Sequence, residues 1–283
     1  MGPVGGVVRD VMALAAGLTF RVAPRFHCRT AWAERLCLNG GMVCQPAGVF
    51  PRDDWRPASA DELRVLVAAE SDTTPELGDD QVGLLALPAH QRVRRWELAE
   101  QSDMEGGTVA GFAVLADALV ELLRFKRLPL PARCAAAVVV SRPGQPSIRL
   151  DATGSGLSGL GFDSPASARG RDGHAVPMAI INLGDEAAQI VVLNLAVHAL
   201  DAYRADEGVQ VRARDADLLR TFATRQPDYP LIGVRLDPGD GLWLPMPPPA
   251  FDGWTVGKHD VDTILVLHGD RRVPANRIVS ART

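Results

Sequence analysis

The clearest start signal in the chain is Ser59 followed three positions later by Glu62, the spacing of a helix capping box. Leu63, Leu66 and Val67 come next at helical spacing, which predicts a helix over about 60–70. Residues 82–87 read as a short strand, and Pro88 opens a second helix running to about Leu98. Thr108 to Phe125 carries apolar residues around most of its circumference. Asp117, Glu121 and Arg124 leave one narrow polar stripe, as on a largely buried helix that Pro129 and Pro131 end.

Beyond residue 130 the character changes from helical to β-like. Strands are predicted at 136–141, 147–150, 178–183, 189–195, 231–236, 242–244 and 264–267. Turn chemistry separates them at Pro143–Pro146, Gly184–Glu186 and Pro238–Gly241. Two further helices are predicted near 197–205 and 215–225. Pro245 to Pro249 is too short to link two domains. This order predicts an α+β chain, an antiparallel barrel or jelly roll backed by helices. It divides one domain, 1–283, into a mainly helical part over 1–130 and a barrel-rich part over 131–283.

Composition narrows the function classes. With 47% hydrophobic and 23% charged residues over 283 positions, the chain has enough apolar content for a core and is not disordered. Thirty basic and 34 acidic residues give a net charge of −4, which argues against a nucleic-acid partner. Lys126 and Lys258 are the only lysines, an arginine bias attributable to codon usage. The apolar start, 7–20, contains Arg9 and Asp10 and lacks a small-residue cleavage site, and no run reaches the ~20 residues of a membrane span. A cytoplasmic location without membrane partners is the expectation.

Candidate chemistry has to pass tests of context. Cys28, Cys37, Cys44 and Cys134 form no C-x-x-C pair, so buried free thiols are expected rather than a zinc site. Gly154 to Gly159 matches G-x-G-x-x-G, but the Gly161, Ser164, Pro165 and Gly170 that follow cannot form the helix a dinucleotide site needs. Ser158 lacks the G-x-S-x-G elbow of a hydrolase. His174, His198, His259 and His268 sit in no catalytic motif.

Two stretches remain. The first is Gly159-Leu160-Gly161-Phe162-Asp163-Ser164, followed by the hairpin from Ile180 to Gly184. The second runs from Arg235 through the Pro238-Gly239-Asp240-Gly241 turn and Leu242-Trp243-Leu244-Pro245 to Phe251-Asp252-Gly253-Trp254-Thr255. This succession resembles the far end of a double-stranded β-helix, the fold of the cupins and the iron/2-oxoglutarate oxygenases. It is similar to bacterial oxygenase-like proteins of natural-product pathways, in which the first stretch reads G-L-H-x-D and the second H-D-G-S-T.

The resemblance implies a facial triad, two histidines and a carboxylate that leave open positions on iron. Asp163 keeps the carboxylate, but Gly161 and Phe251 stand where the histidines belong, and neither side chain offers a ligand atom. What the resemblance then implies is a site without metal or other cofactor. Asp163 is its expected general base. Phe251, Asp252, Trp243, Trp254, Asn182, Arg235 and Thr255 are its expected substrate contacts, with Arg235 able to hold a carboxylate or sulfate through paired hydrogen bonds. The expected substrate is a small or carrier-bound amino-acid-like molecule. The expected reaction is non-redox ring closure, in which an amine displaces a leaving group as in aziridine or azabicycle formation. Two alternatives stay open: a non-catalytic partner of a related subunit in a homo- or heterodimer, and an active oxygenase using His174, His198 or His259 with Asp163.

Overall fold

The computed structural model describes residues 17–22, 34–68, 77, 80–86, 119–121, 123, 128, 135–149, 156–162, 178–195, 199–200, 215–245, 248–268 and 277–280. In chain order the strands are β1 (Thr19–Val22), β2 (Leu36–Leu38), β3 (Met42–Gln45), β4 (Gly48–Pro51) and β5 (Arg56–Pro57). Helix α1 (Ala60–Leu66), β6 (Gln81–Ala86), β7 (Ala135–Ser141), β8 (Met178–Asn182) and β9 (Ala188–Leu193) follow. Helix α2 (Asp215–Arg225), β10 (Leu231–Leu236), β11 (Asp240–Leu244), β12 (Phe251–Trp254), β13 (Asp262–His268) and β14 (Arg277–Ser280) complete the order.

The strands form a seven-stranded sheet, β1-β6-β11-β8-β13-β7-β14, a five-stranded sheet, β12-β9-β10-β2-β5, and the β3-β4 hairpin. Pairing is antiparallel except at the two edges of the larger sheet, where β1 joins β6 and β14 joins β7 in parallel. The fold is thus mixed α and β, dominated by strands in several sheets. Among the described residues no closure of the sheets into a barrel is seen.

Residue alternation explains why so many strands look apolar throughout. Leu84, Ile180, Leu242, Leu244, Ile264 and Val266 of the larger sheet share a core with Leu38, Ile190, Val192, Ile232, Val234 and Phe251 of the smaller one. The intervening residues Leu85, Ala179, Ile181, Trp243, Leu265 and Leu267 face away and pack with Leu119, Val120 and Leu123, helical residues of the predicted 108–125 segment. On the far side of the smaller sheet, Val191, Leu193, Leu231 and Trp254 pack with Leu218, Leu219, Phe222 and Ala223 of α2. Both faces of both sheets are therefore covered, and β8, β11 and β12 are buried at every position. Each large aliphatic or phenylalanine side chain among them contributes about 1.5–3 kcal/mol by leaving water.

Helix α1 begins as expected. The Ser59 side chain accepts from the Glu62 amide and the Glu62 carboxylate accepts from the Ser59 amide. The helix stops at Leu66, because Val67 turns extended and bridges Phe20. Helix α2 and strand β10 have the predicted bounds. The predicted helix at 88–98 lies outside the described residues, as do most of 108–125 and 197–205.

The described residues of 1–130 contribute six strands and one short helix, and the other helices expected there lie largely outside the described residues. One expectation is corrected. Residues 147–149 belong to no strand, because side chains take their amides: Asp252 Oδ1 accepts from Ile148 N and Ser147 Oγ from Arg149 N. No helix among the described residues is long and apolar enough to cross a membrane.

Candidate functional site

Gly161 and Phe251 are neighbours across an antiparallel bridge. They exchange both backbone hydrogen bonds, Gly161 N to Phe251 O at 3.3 Å and Phe251 N to Gly161 O at 3.0 Å. A pair of this kind holds its Cα atoms about 5.5 Å apart and projects both side chains to one face. The two positions at which the resemblance expects histidine are thus side by side.

A cation occupies the space between them. A Cβ built on Gly161 would lie 3.0 Å from Arg149 Nε and 3.2 Å from its Nη2, and the same guanidinium carbon is 5.4 Å from the centre of the Phe251 ring. Glycine at 161 leaves room for the guanidinium, and the ring face attracts it. Arg149 Nη2 also donates to the Phe162 carbonyl at 3.3 Å. These residues do not fit an iron ion. One position offers no ligand atom, the other only an aromatic face, and a permanently positive group stands between them.

Beneath the bridge lies Asp252, 1% exposed. Its Oδ1 accepts from Ile148 N at 3.1 Å and Gly253 N at 2.7 Å, while Oδ2 is buried with no partner at hydrogen-bonding distance. Burial pushes the carboxyl up from 3.8 to about 6, and the Ser147 hydroxyl, the Arg149 charge and the two amides offset part of the effect. Ser147 Oγ accepts from the amides of Arg149 and Gly159, which ties both segments together beside the carboxylate.

The other expected contacts lie elsewhere. Trp243 is packed behind the larger sheet and Trp254 behind the smaller, where it meets Trp55 edge-on at 6.0 Å. Asn182 is fully buried and closes the β8–β9 turn, donating to the Glu186 and Leu236 carbonyls and accepting from Gly184 N. Arg235 is exposed and pairs with Asp237, 3.2 Å away. Thr255 donates to the Arg142 carbonyl at 2.7 Å and accepts from Gln145 N, fixing the turn before Ser147. The structure therefore brings Phe251 and Asp252 together with Gly161 and disperses Trp243, Trp254, Asn182, Arg235 and Thr255. Asp163, His174 and His198 lie outside the described residues.

Arg149 and Ser147 were not among the sequence candidates. Their signal was available: a serine and an arginine alternate with Ile148 and Leu150 in the segment that enters the glycine loop. Arg35 was also missed. It is 3% exposed and reaches Asp240 at 2.8 Å and Asp237 at 3.3 Å, so it fastens the β10–β11 turn to the start of β2. His259 is exposed and sits 3.4 Å from Glu186. Cys37 is half-buried, its thiol pushed up to about 11 by burial, whereas Cys44 is exposed, contrary to the expectation of buried thiols. Among the described residues no group of three or more His, Cys, Asp or Glu could hold a metal ion.

No protein-family model matches the chain. No curated protein and no solved structure matches it significantly either.

Proposed function

We propose that the chain is an oxygenase-like protein of bacterial secondary metabolism that works without metal. In this reading it binds an amino-acid-like substrate beside Gly161 and Phe251 and promotes non-redox ring closure. The observation that carries the proposal is the Gly161–Phe251 bridge with the Arg149 guanidinium against it. The resemblance requires its two histidine positions to share a face, and these two positions do so.

The winding of the chain supports a double-stranded β-helix. From β7 onward it alternates between the facing sheets: β7 in the larger, the 161 bridge beside the smaller, β8 in the larger, β9 and β10 in the smaller. It then returns to the larger with β11, to the smaller with β12 and to the larger with β13.

In the proposed reaction Asp163 takes the proton of the substrate amine. The nitrogen lone pair forms the new C–N bond as the carbon–leaving-group bond breaks, and the leaving group departs with its electron pair. Such closure needs a base and an enforced approach geometry, and no oxidant. A second reading is a non-catalytic partner of a related catalytic subunit. It is favoured by one observation: the Phe251 ring is only 5% exposed and belongs to the packing between the sheets.

The test is an Fe(II) titration of the purified chain, with metal analysis and a 2-oxoglutarate turnover assay. The expected result is no stoichiometric iron and no succinate. Stoichiometric iron with succinate formation would establish the active oxygenase instead. With a ring-closure substrate in hand, Asp163→Asn should abolish turnover without unfolding the chain, whereas a non-catalytic partner would keep its effect on the catalytic subunit.

A further inference from the structure

We propose that Lys258 and Asp262 become joined by an internal amide bond, formed by the chain itself between the lysine Nζ and the aspartate Cγ. The proposal is independent of the oxygenase-like reading and concerns the turn between β12 and β13.

Three observations carry it together. The first is enforced approach. Lys258 Nζ lies 2.5 Å from Asp262 Oδ1, below the roughly 2.7–2.9 Å of an ordinary charge-assisted hydrogen bond. The backbone imposes this closeness: Lys258 N donates to the Thr255 carbonyl at 3.1 Å, and Gly257 takes the positive φ of 84° that the turn requires. An amine held against a carboxyl carbon in this way reacts as if at very high concentration. The second is enclosure. The two side chains are 8% and 0% exposed. Asp262 Oδ2 is buried without a hydrogen-bond partner, and so is Ser141 Oγ, directly across the β13–β7 pair. A buried ion pair with one oxygen unsatisfied is costly, and an amide removes both charges. The third is a carboxylate beside the pair. Glu186 Oε2 is fixed by the amides of His259 and Asp260 at 3.0 and 3.1 Å. Burial raises the Asp262 carboxyl, Lys258 opposes it, and the Glu186 charge adds to the rise. Enclosure and Glu186 thus both favour the neutral acid, which with the neutral amine is the reactive pair.

The step needs no co-reactant. A proton passes from Nζ to the carboxylate, the nitrogen lone pair forms the C–N bond, and the Cγ–Oδ2 bond breaks. Of the three ammonium protons one stays on the amide nitrogen and two leave with the oxygen as water.

The experiment is tryptic mapping by mass spectrometry of the full chain, purified folded and then denatured. Trypsin cuts after Arg235, Lys258 and Arg271 in this stretch, but not after a lysine whose amine is acylated. The expected result is one peptide covering 236–271, uncut at Lys258 and lighter than its sequence by one water. Lys258→Arg keeps the positive charge but cannot form the amide, and its stretch should be cut after position 258 with both pieces at full mass. Separate wild-type peptides 236–258 and 259–271 at full mass overturn the proposal. So does a water loss that lies within 236–258 alone, as a ring closure at Asp252-Gly253 would give, or one that persists in Lys258→Arg. The wild-type map decides by itself if the variant fails to fold.

Discussion

Replacing Asp252 by asparagine should make the protein more stable at neutral pH. Burial raises this carboxyl from 3.8 to about 6. At about 1.4 kcal/mol per unit of pKa, that difference corresponds to about 3 kcal/mol of preference for the neutral form. The folded state thus holds the proton more tightly than the unfolded chain. The stabilisation from the neutral form is complete below pH 3.8 and is lost as pH rises through about 6. Asparagine is neutral throughout and keeps the Oδ1 acceptor that the Ile148 and Gly253 amides use. It also loses the attraction of the nearby Arg149 charge, which reduces the gain. Asp252→Asn should therefore exceed wild type by about 1–3 kcal/mol at pH 7.5, with the advantage shrinking to nothing near pH 4. Urea unfolding of both proteins from pH 4 to pH 8 measures the difference. A variant less stable than wild type at pH 7.5, or a difference that does not change with pH, would refute the reasoning.

Other expectations follow from neighbouring contacts. Arg35→Met removes the buried cation that Asp237 and Asp240 share and should cost about 3–5 kcal/mol in urea unfolding. Glu62, held down at about 2 chiefly by its hydrogen bonds to Arg56, contributes stability above pH 4.5 that is lost as pH falls toward 2. Glu62→Gln should remove about 2 kcal/mol of it at pH 7, a figure kept low because Arg56 is half exposed; unchanged acid unfolding of the variant would count against this. Gly161→His with Phe251→His, in an Arg149→Ala background, places two imidazoles on one face of the bridge. That variant should acquire the visible absorption bands of bound Co(II), and the same pair with Arg149 retained should bind at least tenfold more weakly.

The sequence made the locally determined elements legible. Ser59 and Glu62 announced α1, and α2 and β10 appeared at their predicted bounds because their patterns are long and uninterrupted. The short N-terminal strands were hidden. Leu36–Leu38 and Arg56–Pro57 are too brief to carry a period, and they are strands because β10 lends an edge to β2, and β2 in turn to β5. The site was legible in part. The structure pairs Gly161 with Phe251, but Trp243 and Trp254 were placed beside them without regard to parity. Leu242 and Leu244 point into the inter-sheet core, so Trp243 points out, and Trp254, three positions after Phe251, faces away from it. Arg149 was overlooked because its segment looked like a strand, and the side chains that consume its amides come from residues a periodic pattern does not weigh.

The partnership of β2 with β10 has a consequence for synthesis. The buried amide of Leu231 donates to the Asn39 side chain, 192 positions earlier, and the smaller sheet depends on that junction. At roughly 5–20 residues per second, a ribosome releases the early strand roughly 10–40 s before its partner exists. During that interval Leu36 and Leu38, wholly interior in the finished protein, have no sheet to join. A chaperone that shelters the nascent N-terminus should therefore raise the yield of native protein more than one that acts after release.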